Sequence, residues 1–139
     1  MGVFHVPGEV AGIETPKRFI PVEKMLVDTG SEFTWIPAPI LEQAGVTVAK
    51  KDQSFVMADG ETVARSMGYA FLRSSGFETV DEVVFARPGD LTILGARTLE
   101  GFGVVADPER KRLAAAGPHL AARGGNETSQ AGVSGTRNG

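Results

Sequence analysis

A short apolar run that ends in an acidic turn is the feature that most constrains the fold. Met25, Leu26 and Val27 lead directly into Asp28-Thr29-Gly30-Ser31, and a second apolar stretch, Phe33-Thr34-Trp35-Ile36, follows almost at once. Asp, Thr and Gly are common turn residues, so an ordinary surface turn is one interpretation. A surface turn does not need apolar strands on both sides, however. The flanking residues therefore indicate that the acid lies at the base of a packed element, where burial makes charge on a carboxylate costly.

Composition sets the broad class of the protein. The chain has 139 residues, of which 42% are hydrophobic, and this suits one domain with a sizeable core. It contains no cysteine, which excludes disulfides and thiolate metal sites, and its two histidines belong to no metal-ligand spacing. A net charge of −3 does not suggest a nucleic-acid surface. With no apolar run of about 18 residues and no signal peptide, we expect a cytoplasmic protein without membrane contact, cofactor or metal.

The pattern along the chain is mostly of strands. Short runs rich in β-branched and aromatic residues are separated by Gly, Pro, Asp and Ser, as is typical of all-β domains. Prolines at the start and a glycine at the end predict a short helix at 38–44, and a second helix is expected at 96–100. The predicted strands cover residues 3–6, 19–27, 33–36, 54–57, 62–64, 68–73, 77–85, 91–94, 103–106 and 112–114.

Two segments mark the organisation of the chain. Asp59-Gly60, between two predicted strands, indicates a tight hairpin turn, because such turns need residues with positive φ. From Gly117 onward the sequence is rich in Gly, Ser, Thr and Asn and poor in large apolar residues, so it cannot bury enough surface to offset its ordering entropy. We therefore expect one domain over residues 1–116 and a flexible, low-complexity tail over 117–139.

These motifs, taken in order, resemble a known family. Leu26-Val27-Asp28-Thr29-Gly30-Ser31 is similar to the active-site motif of the retropepsin-like aspartic proteases, the single-domain relatives of pepsin. Phe33-Thr34-Trp35-Ile36-Pro37 is similar to the strand that follows that motif. Ile93-Leu94-Gly95 matches the family's second motif, two apolar residues and a glycine before a short helix. The hairpin with Ala58-Asp59-Gly60 at its tip occupies the place of the flap. The resemblance covers about residues 3–115.

The resemblance implies both a fold and a chemistry. It implies an all-β, closed barrel of the acid-protease type, with a flap hairpin and one or two short helices, completed as a symmetric homodimer. Peptide or protein substrates would be cut by water held between two carboxylates that share one proton, one acting as general base and the other as acid. The chain holds a single Asp-Thr-Gly, so the second carboxylate has to come from a second copy across a two-fold axis.

Roles for the first motif follow from the same resemblance. Asp28 is the expected catalytic carboxylate, and Thr29 resembles the hydroxyl that bonds across the dimer axis. Gly30 would let the backbone approach the substrate closely. Ser31 is either a hydrogen-bond partner near Asp28 or a plain turn hydroxyl. Glu32 lies where the family often has an acid that meets the substrate backbone or a structural arginine, and both uses stay open.

The flap and the second motif supply the remaining expected site residues. Met57, Ala58, Asp59 and Gly60 would close over the peptide and exclude water, although an ordinary solvated hairpin is the alternative. In the family the strand equivalent to Ile93-Leu94-Gly95 runs beside the catalytic loop and supports it.

Three departures from the retroviral pattern bear on function. The hairpin tip has a single glycine flanked by acids, and Ala96 stands where retroviral members have an arginine, with Arg97 one residue later. The chain also continues through 107–113 where retroviral enzymes end in an interface strand. These departures keep a second hypothesis open, a weakly active or inactive retropepsin-like module for dimerisation or peptide binding.

Overall fold

The computed structural model describes residues 3–118 and 120–122, in which the chain forms nine strands and two short helices. Of the predicted tail, residues 119 and 123–139 lie outside the described residues. The elements are β1 (His5–Gly12), β2 (Ile20–Asp28), β3 (Thr34–Pro37), α1 (Ala38–Gln43), β4 (Lys50–Val56), β5 (Thr62–Ser74), β6 (Phe77–Ala86), β7 (Ile93–Gly95), α2 (Ala96–Phe102), β8 (Val104–Asp107) and β9 (Arg112–Ala115).

Six strands close into a barrel. Their order is β1-β2-β7-β3-β6-β5, and pairing of β1 with β5 closes the cylinder. The long strand β5 makes this closure possible because its two halves have different partners. Its C-terminal half pairs with β1, Ala70 lying opposite Gly12, while its N-terminal half pairs with β4, Thr62 lying opposite Val56. Strand β4 therefore extends outside the cylinder as one arm of a hairpin. The expected all-β closed barrel is confirmed.

Strand β7 is threaded between β2 and β3. It runs parallel to β2, with Leu94 opposite Val27 and Gly95 opposite Asp28, and antiparallel to β3, with Ile93 opposite Trp35. A strand with neighbours on both edges and apolar packing on its faces must itself be apolar, which the sequence Ile-Leu-Gly satisfies. Strand β7 thereby fixes the position of the last residue of β2.

The apolar side chains form two clusters. The larger one fills the barrel and lies under α1, with Ile36, Leu41 and Leu94 fully buried. The smaller one consists of Trp35, Met67, Val84 and Ala86, and it lies between the barrel and the β4–β5 hairpin. Phe55 of β4 packs edge-on against Trp35, with 5.1 Å between the ring centroids. The hairpin is therefore held against the barrel by aromatic contact as well as by its backbone.

The largest differences from the expected strand bounds concern β5 and β1. Residues 62–64 and 68–73 belong to the single strand β5, because neighbouring strands pair along its whole length. Strand β1 extends to Gly12, past Pro7-Gly8, although this pair of residues in the sequence predicts the end of the strand. The register shifts between Val6 and Gly8, so this bulge accommodates the pair while the strand continues. The two helices, the Asp59-Gly60 hairpin and the closing β8–β9 hairpin are confirmed.

We expect Gly95→Ala to destabilise the barrel. A Cβ at this position would lie 2.5 Å from the carbonyl carbon of Phe33, and the backbone cannot move aside as a flexible side chain could. The loss should be about 1–3 kcal/mol in urea unfolding. Gly117→Ala is the matched control, because an added Cβ there meets nothing within 4 Å, and it should change stability by less than about 0.5 kcal/mol. Equal stability of the two variants would contradict the close packing.

Candidate active site

The turn that follows β2 orients the Asp28 side chain. The Gly30 backbone N–H donates to Asp28 Oδ1 at 2.9 Å, and the Ser31 N–H donates to the Asp28 carbonyl oxygen at 3.2 Å. Asp28 is half-buried, while Thr29 and Gly30 are exposed. One carboxylate oxygen is thus held by the turn itself, and the side chain keeps access to solvent. Both of these hydrogen bonds lie within the local sequence Asp-Thr-Gly-Ser.

Helix α2 fixes the far side of the same loop. The Ala96 N–H donates to the Ser31 carbonyl oxygen at 2.7 Å, and the Arg97 N–H donates to the Glu32 carbonyl oxygen at 3.0 Å. No side chain caps this helix, so loop carbonyls satisfy N–H groups that would otherwise lack partners at its first turn. The Asp-Thr-Gly loop is therefore held by β7 at one end and by the first turn of α2 at the other.

A chain of buried hydroxyls braces this junction. The Gly95 N–H donates to Thr34 Oγ1 at 3.0 Å, and Thr34 Oγ1 lies 2.6 Å from Thr98 Oγ1. Thr98 donates to Asp81 Oδ2 at 2.9 Å, and since each hydroxyl has one proton, Thr34 must donate to Thr98. This series of hydrogen bonds connects β7, β3, α2 and β6 and ends at the Asp81 carboxylate. Sequence reasoning missed it, because no motif joins residues so far apart.

An apolar cleft of about 320 Å³ opens beside Asp28. The loop supplies its polar side, and β3, β7, the hairpin and the loop before β7 supply its apolar walls. Two large apolar residues on its walls, Val56 and Leu91, are 75% and 61% exposed, so they present apolar surface at the cleft. The cleft is lined by Asp28, Gly30, Ser31, Trp35, Val56, Met57, Ala58, Leu91 and Ile93.

The structure brings only some of the expected site residues together. Asp28, Gly30, Ser31, Met57, Ala58 and Ile93 line the cleft, whereas Thr29, Glu32, Asp59, Gly60, Leu94 and Gly95 do not. Leu94 and Gly95 lie behind the loop as its support, and the hairpin tip is exposed. The functional role of each of these residues stays a prediction. Val56 and Leu91 were missed, and the apolar residue directly after Arg87-Pro88-Gly89-Asp90 was the available signal for Leu91.

Arg97 forms a charged cluster beside the loop. Its Nη1 lies 4.0 Å from Glu32 Oε2 and 3.6 Å from Glu82 Oε1, and its guanidinium carbon lies 5.2 Å from the centre of the Phe33 ring. Lys50 Nζ lies 2.7 Å from Glu82 Oε2, and this contact with Glu82 raises the pKa of Lys50. Although the arginine stands one residue later than in retroviral members, it still reaches the acid that follows the Asp-Thr-Gly-Ser turn.

A partly buried ion pair connects the hairpin to the loop before β7. Arg65 on β5 donates from Nε to Asp90 Oδ2 at 2.8 Å and from Nη2 to Asp90 Oδ1 at 2.9 Å. The side chains are only 15% and 7% exposed. The hydrogen bonds from Arg65 lower the pKa of Asp90, and the Arg87 N–H, which donates to Asp90 Oδ2 at 2.8 Å, acts in the same direction against burial. Nothing in the sequence pointed to this pair.

A larger cavity, about 500 Å³, lies elsewhere on the barrel, between β1 and the β5–β6 turn. Its charged side chains are paired with one another. Arg73 Nε lies 2.9 Å from Glu78 Oε1, and Arg73 Nη1 lies 3.9 Å from Glu9 Oε1. None of the residues that line this cavity belongs to the Asp-Thr-Gly turn, so the smaller cleft beside Asp28 is the candidate active site.

Residues 3–118 and 120–122 contain no group of three or more His, Cys, Asp or Glu side chains placed to hold a metal ion. Over the same residues, neither helix has the length and apolar character needed to cross a membrane.

The closed barrel, the threaded strand β7 and the Asp-Thr-Gly turn define an all-β protein of the acid-protease fold. Comparison with protein families agrees, since the aspartyl protease model matches residues 6–98. The chain belongs to the aspartyl protease family, of the retropepsin-like type. No curated protein matches the sequence. Membership supports a peptide-hydrolysing function.

We expect the Arg65–Asp90 pair to make stability depend on pH. Because the folded-state pKa of Asp90 is lowered, its contribution is fully present above the unfolded-state pKa of about 3.9 and is lost as pH falls through the folded value. Asp90→Asn should therefore cost about 1–3 kcal/mol near neutral pH, and the difference from the unsubstituted protein should shrink below about pH 4.

Urea unfolding at several pH values between about 6 and 3 measures this difference. Asp52→Asn is the matched control, because Asp52 is exposed and its φ of 54° suits asparagine. A cost of Asp90→Asn that stays constant or grows on acidification would contradict the assignment.

Proposed function

We propose that the protein is an aspartic endopeptidase that hydrolyses peptide bonds with Asp28 as its catalytic carboxylate. The observation that carries the proposal is the placement of this side chain. The turn holds Asp28 Oδ1 through the Gly30 N–H at 2.9 Å, and the carboxylate opens into a cleft with apolar walls. An extended peptide can lie in such a cleft with its backbone near the acid, and the walls limit the access of bulk water.

The proposed mechanism needs two carboxylates. One takes a proton from the attacking water, and the other, protonated, polarises the scissile carbonyl. Like charges at such short range cannot both ionise, so the pair would titrate as a unit. Within residues 3–118 and 120–122, Asp28 is the only acid that lines the cleft. We therefore infer that a second copy supplies the second Asp28, across a two-fold axis.

The exposed part of the Asp-Thr-Gly turn fits this inference. Thr29 and Gly30 face outward, as residues at an axis between two copies would. In the proposed dimer the Thr29 hydroxyl bonds across the axis and braces both loops, and Gly30 leaves room for the substrate backbone. Ser31 remains at the edge of the cleft, where its hydroxyl donates to the Phe33 carbonyl oxygen at 3.2 Å. That bond favours a structural use of the hydroxyl over a catalytic one.

The β4–β5 hairpin is the proposed flap. Met57 and Ala58 line the cleft, while the exposed tip is formed by Asp59 and Gly60. The turn is closed by the Met57 N–H to the Glu61 carbonyl oxygen at 2.8 Å, and Gly60 adopts the positive φ of 87° that favours glycine. Closure of this hairpin would press Met57 and Val56 onto the substrate and exclude water.

The proposed catalytic unit is residues 1–116, with 117–139 as a tail. The β8–β9 hairpin ends at Ala115, and the Ala116 N–H donates to the Gly103 carbonyl oxygen at 2.7 Å. This bond attaches the end of the unit to the C-terminus of α2.

Asp28→Asn tests the proposed chemistry. The amide cannot act as general base, so cleavage of an unfolded protein substrate at mildly acidic pH should fall by about 10²–10⁴-fold. Asp52→Asn, which makes the same exchange at an exposed position of β4, should retain activity. Cleavage that survives Asp28→Asn would exclude the mechanism. A dimer of the unsubstituted chain that binds peptides and cuts none would favour the alternative, a peptide-binding or dimerisation module.

Mixing experiments test the contribution of two chains to one site. Since each active site needs an acid from both copies, a dimer of one unsubstituted chain and one Asp28→Asn chain should be inactive. In equimolar mixtures that have exchanged subunits, activity per unsubstituted chain should fall by about half. Sedimentation of the same samples measures the dimer. Unchanged activity in a mixture shown to contain mixed dimers would refute the two-chain site.

A further inference from the structure

The two walls of the cleft come from separate segments of the chain. The hairpin supplies one wall with Val56, Met57 and Ala58, and the loop before β7 supplies Leu91. The cleft therefore has a fixed width only if something holds the hairpin against that loop. The Arg65–Asp90 pair joins these two segments.

Asp90 is held in its loop by hydrogen bonds to Arg87, a residue of the same loop. Its backbone N–H donates to the Arg87 carbonyl oxygen at 2.9 Å, and its Oδ2 accepts the Arg87 N–H at 2.8 Å. Gly89, with φ of 93°, completes this turn. A force on the Asp90 carboxylate is thus transmitted to the whole turn, and the next residue along the chain is Leu91.

Arg65 is equally well placed on the hairpin. Since side chains alternate along a strand, Arg65 shares a face of β5 with Val63 and with Met67, which is buried beside Trp35. Its backbone pairs with Gln53, and Val63 pairs with Phe55, the residue that packs on Trp35. Along β5, Arg65 lies between Met67 of the small apolar cluster and the hairpin tip. The planar guanidinium of Arg65 donates to both oxygens of the Asp90 carboxylate, and this bidentate contact fixes the relative orientation of the two groups as well as their distance.

We propose that Arg65 and Asp90 are positioning residues that set the width of the cleft and thereby select which substrate side chains fit between Leu91 and the hairpin. The proposal rests on the proposed protease function for its substrate, although the structural part of it does not need turnover. Without the pair, the hairpin is still held at its base by its backbone and by the Lys50–Glu82 ion pair, and by the packing of Phe55 and Met57 on the small apolar cluster. In the part of the chain that the structure describes, no other ion pair then ties it to the loop before β7, and the wall formed by Val56 and Met57 can move relative to Leu91.

Two variants test this, and a third is the matched control. Arg65→Met keeps the apolar part of the side chain and removes the charge, whereas Arg65→Lys keeps the charge but cannot make the planar bidentate contact with Asp90. Arg73→Met removes a comparable ion pair from the same strand. Arg73 Nε lies 2.9 Å from Glu78 Oε1, but these side chains are 47% and 46% exposed and lie away from the cleft.

The first measurement uses Trp35, the single tryptophan of the chain. It is buried, packs on Phe55 and lines the cleft, so loosening of the hairpin should shift its emission to longer wavelength and increase quenching by acrylamide. We expect the largest change in Arg65→Met, a smaller one in Arg65→Lys and none in Arg73→Met. If Arg65→Met does not fold, the Trp35 emission and quenching of Arg65→Lys test the proposal. Quenching in the Arg65 variants that equals that of Arg73→Met would overturn the proposal.

The second measurement compares two peptides that differ only in having a large or a small apolar side chain beside the cleaved bond. For the large one we expect KM to rise on the order of tenfold in Arg65→Met while kcat stays within about twofold, because binding and not chemistry is altered. An unchanged preference between the peptides would contradict a role in selection. If the unsubstituted protein cuts neither peptide but Trp35 responds as expected, the proposed function fails and the positioning of the hairpin stands.

Discussion

The insertion of a three-residue strand between β2 and β3 is the constraint on which the rest of the molecule depends. Strand β7 has little length of its own, yet Gly95 lies directly against the Phe33 backbone and opposite Asp28. Any side chain at residue 95 would separate β7 from the loop. The same contact starts α2, whose first N–H groups bond to the loop carbonyls of Ser31 and Glu32. One close backbone approach therefore positions the acid, the loop and the helix together.

The surroundings of Asp28 combine rigid polar support with apolar walls. Its support comes from backbone N–H groups and buried hydroxyls, which are already oriented before a substrate arrives. The walls come from side chains such as Trp35 and Met57, which lower the local dielectric and strengthen charge interactions inside the cleft. Oriented polar support behind the acid and apolar walls in front of it are what the proposed hydrolysis requires, since its water must be aligned and shielded.

The sequence was informative where a feature depends on neighbouring residues. The Asp28 turn, the apolar β7 segment and the Asp59-Gly60 hairpin are all specified by residues close together in the chain, and all three were predicted. The continuity of β5 was not, because it depends on partners that only the closed barrel provides. The contacts of Thr34 with Thr98 and of Arg65 with Asp90 also escaped prediction, since they join residues 64 and 25 positions apart without any spacing rule.

Placing β4 outside the closed cylinder leaves one strand edge open, and an open edge can pair with other chains and start aggregation. The part of β4 nearest the barrel is protected against this. It carries the exposed charges Lys50, Lys51 and Asp52, and a register shift with positive φ at Asp52 bends it away from regular pairing. The strand is free of such charges from Gln53 to Val56. The same edge is thus protected against unwanted partners at its base and carries no such protection near the cleft.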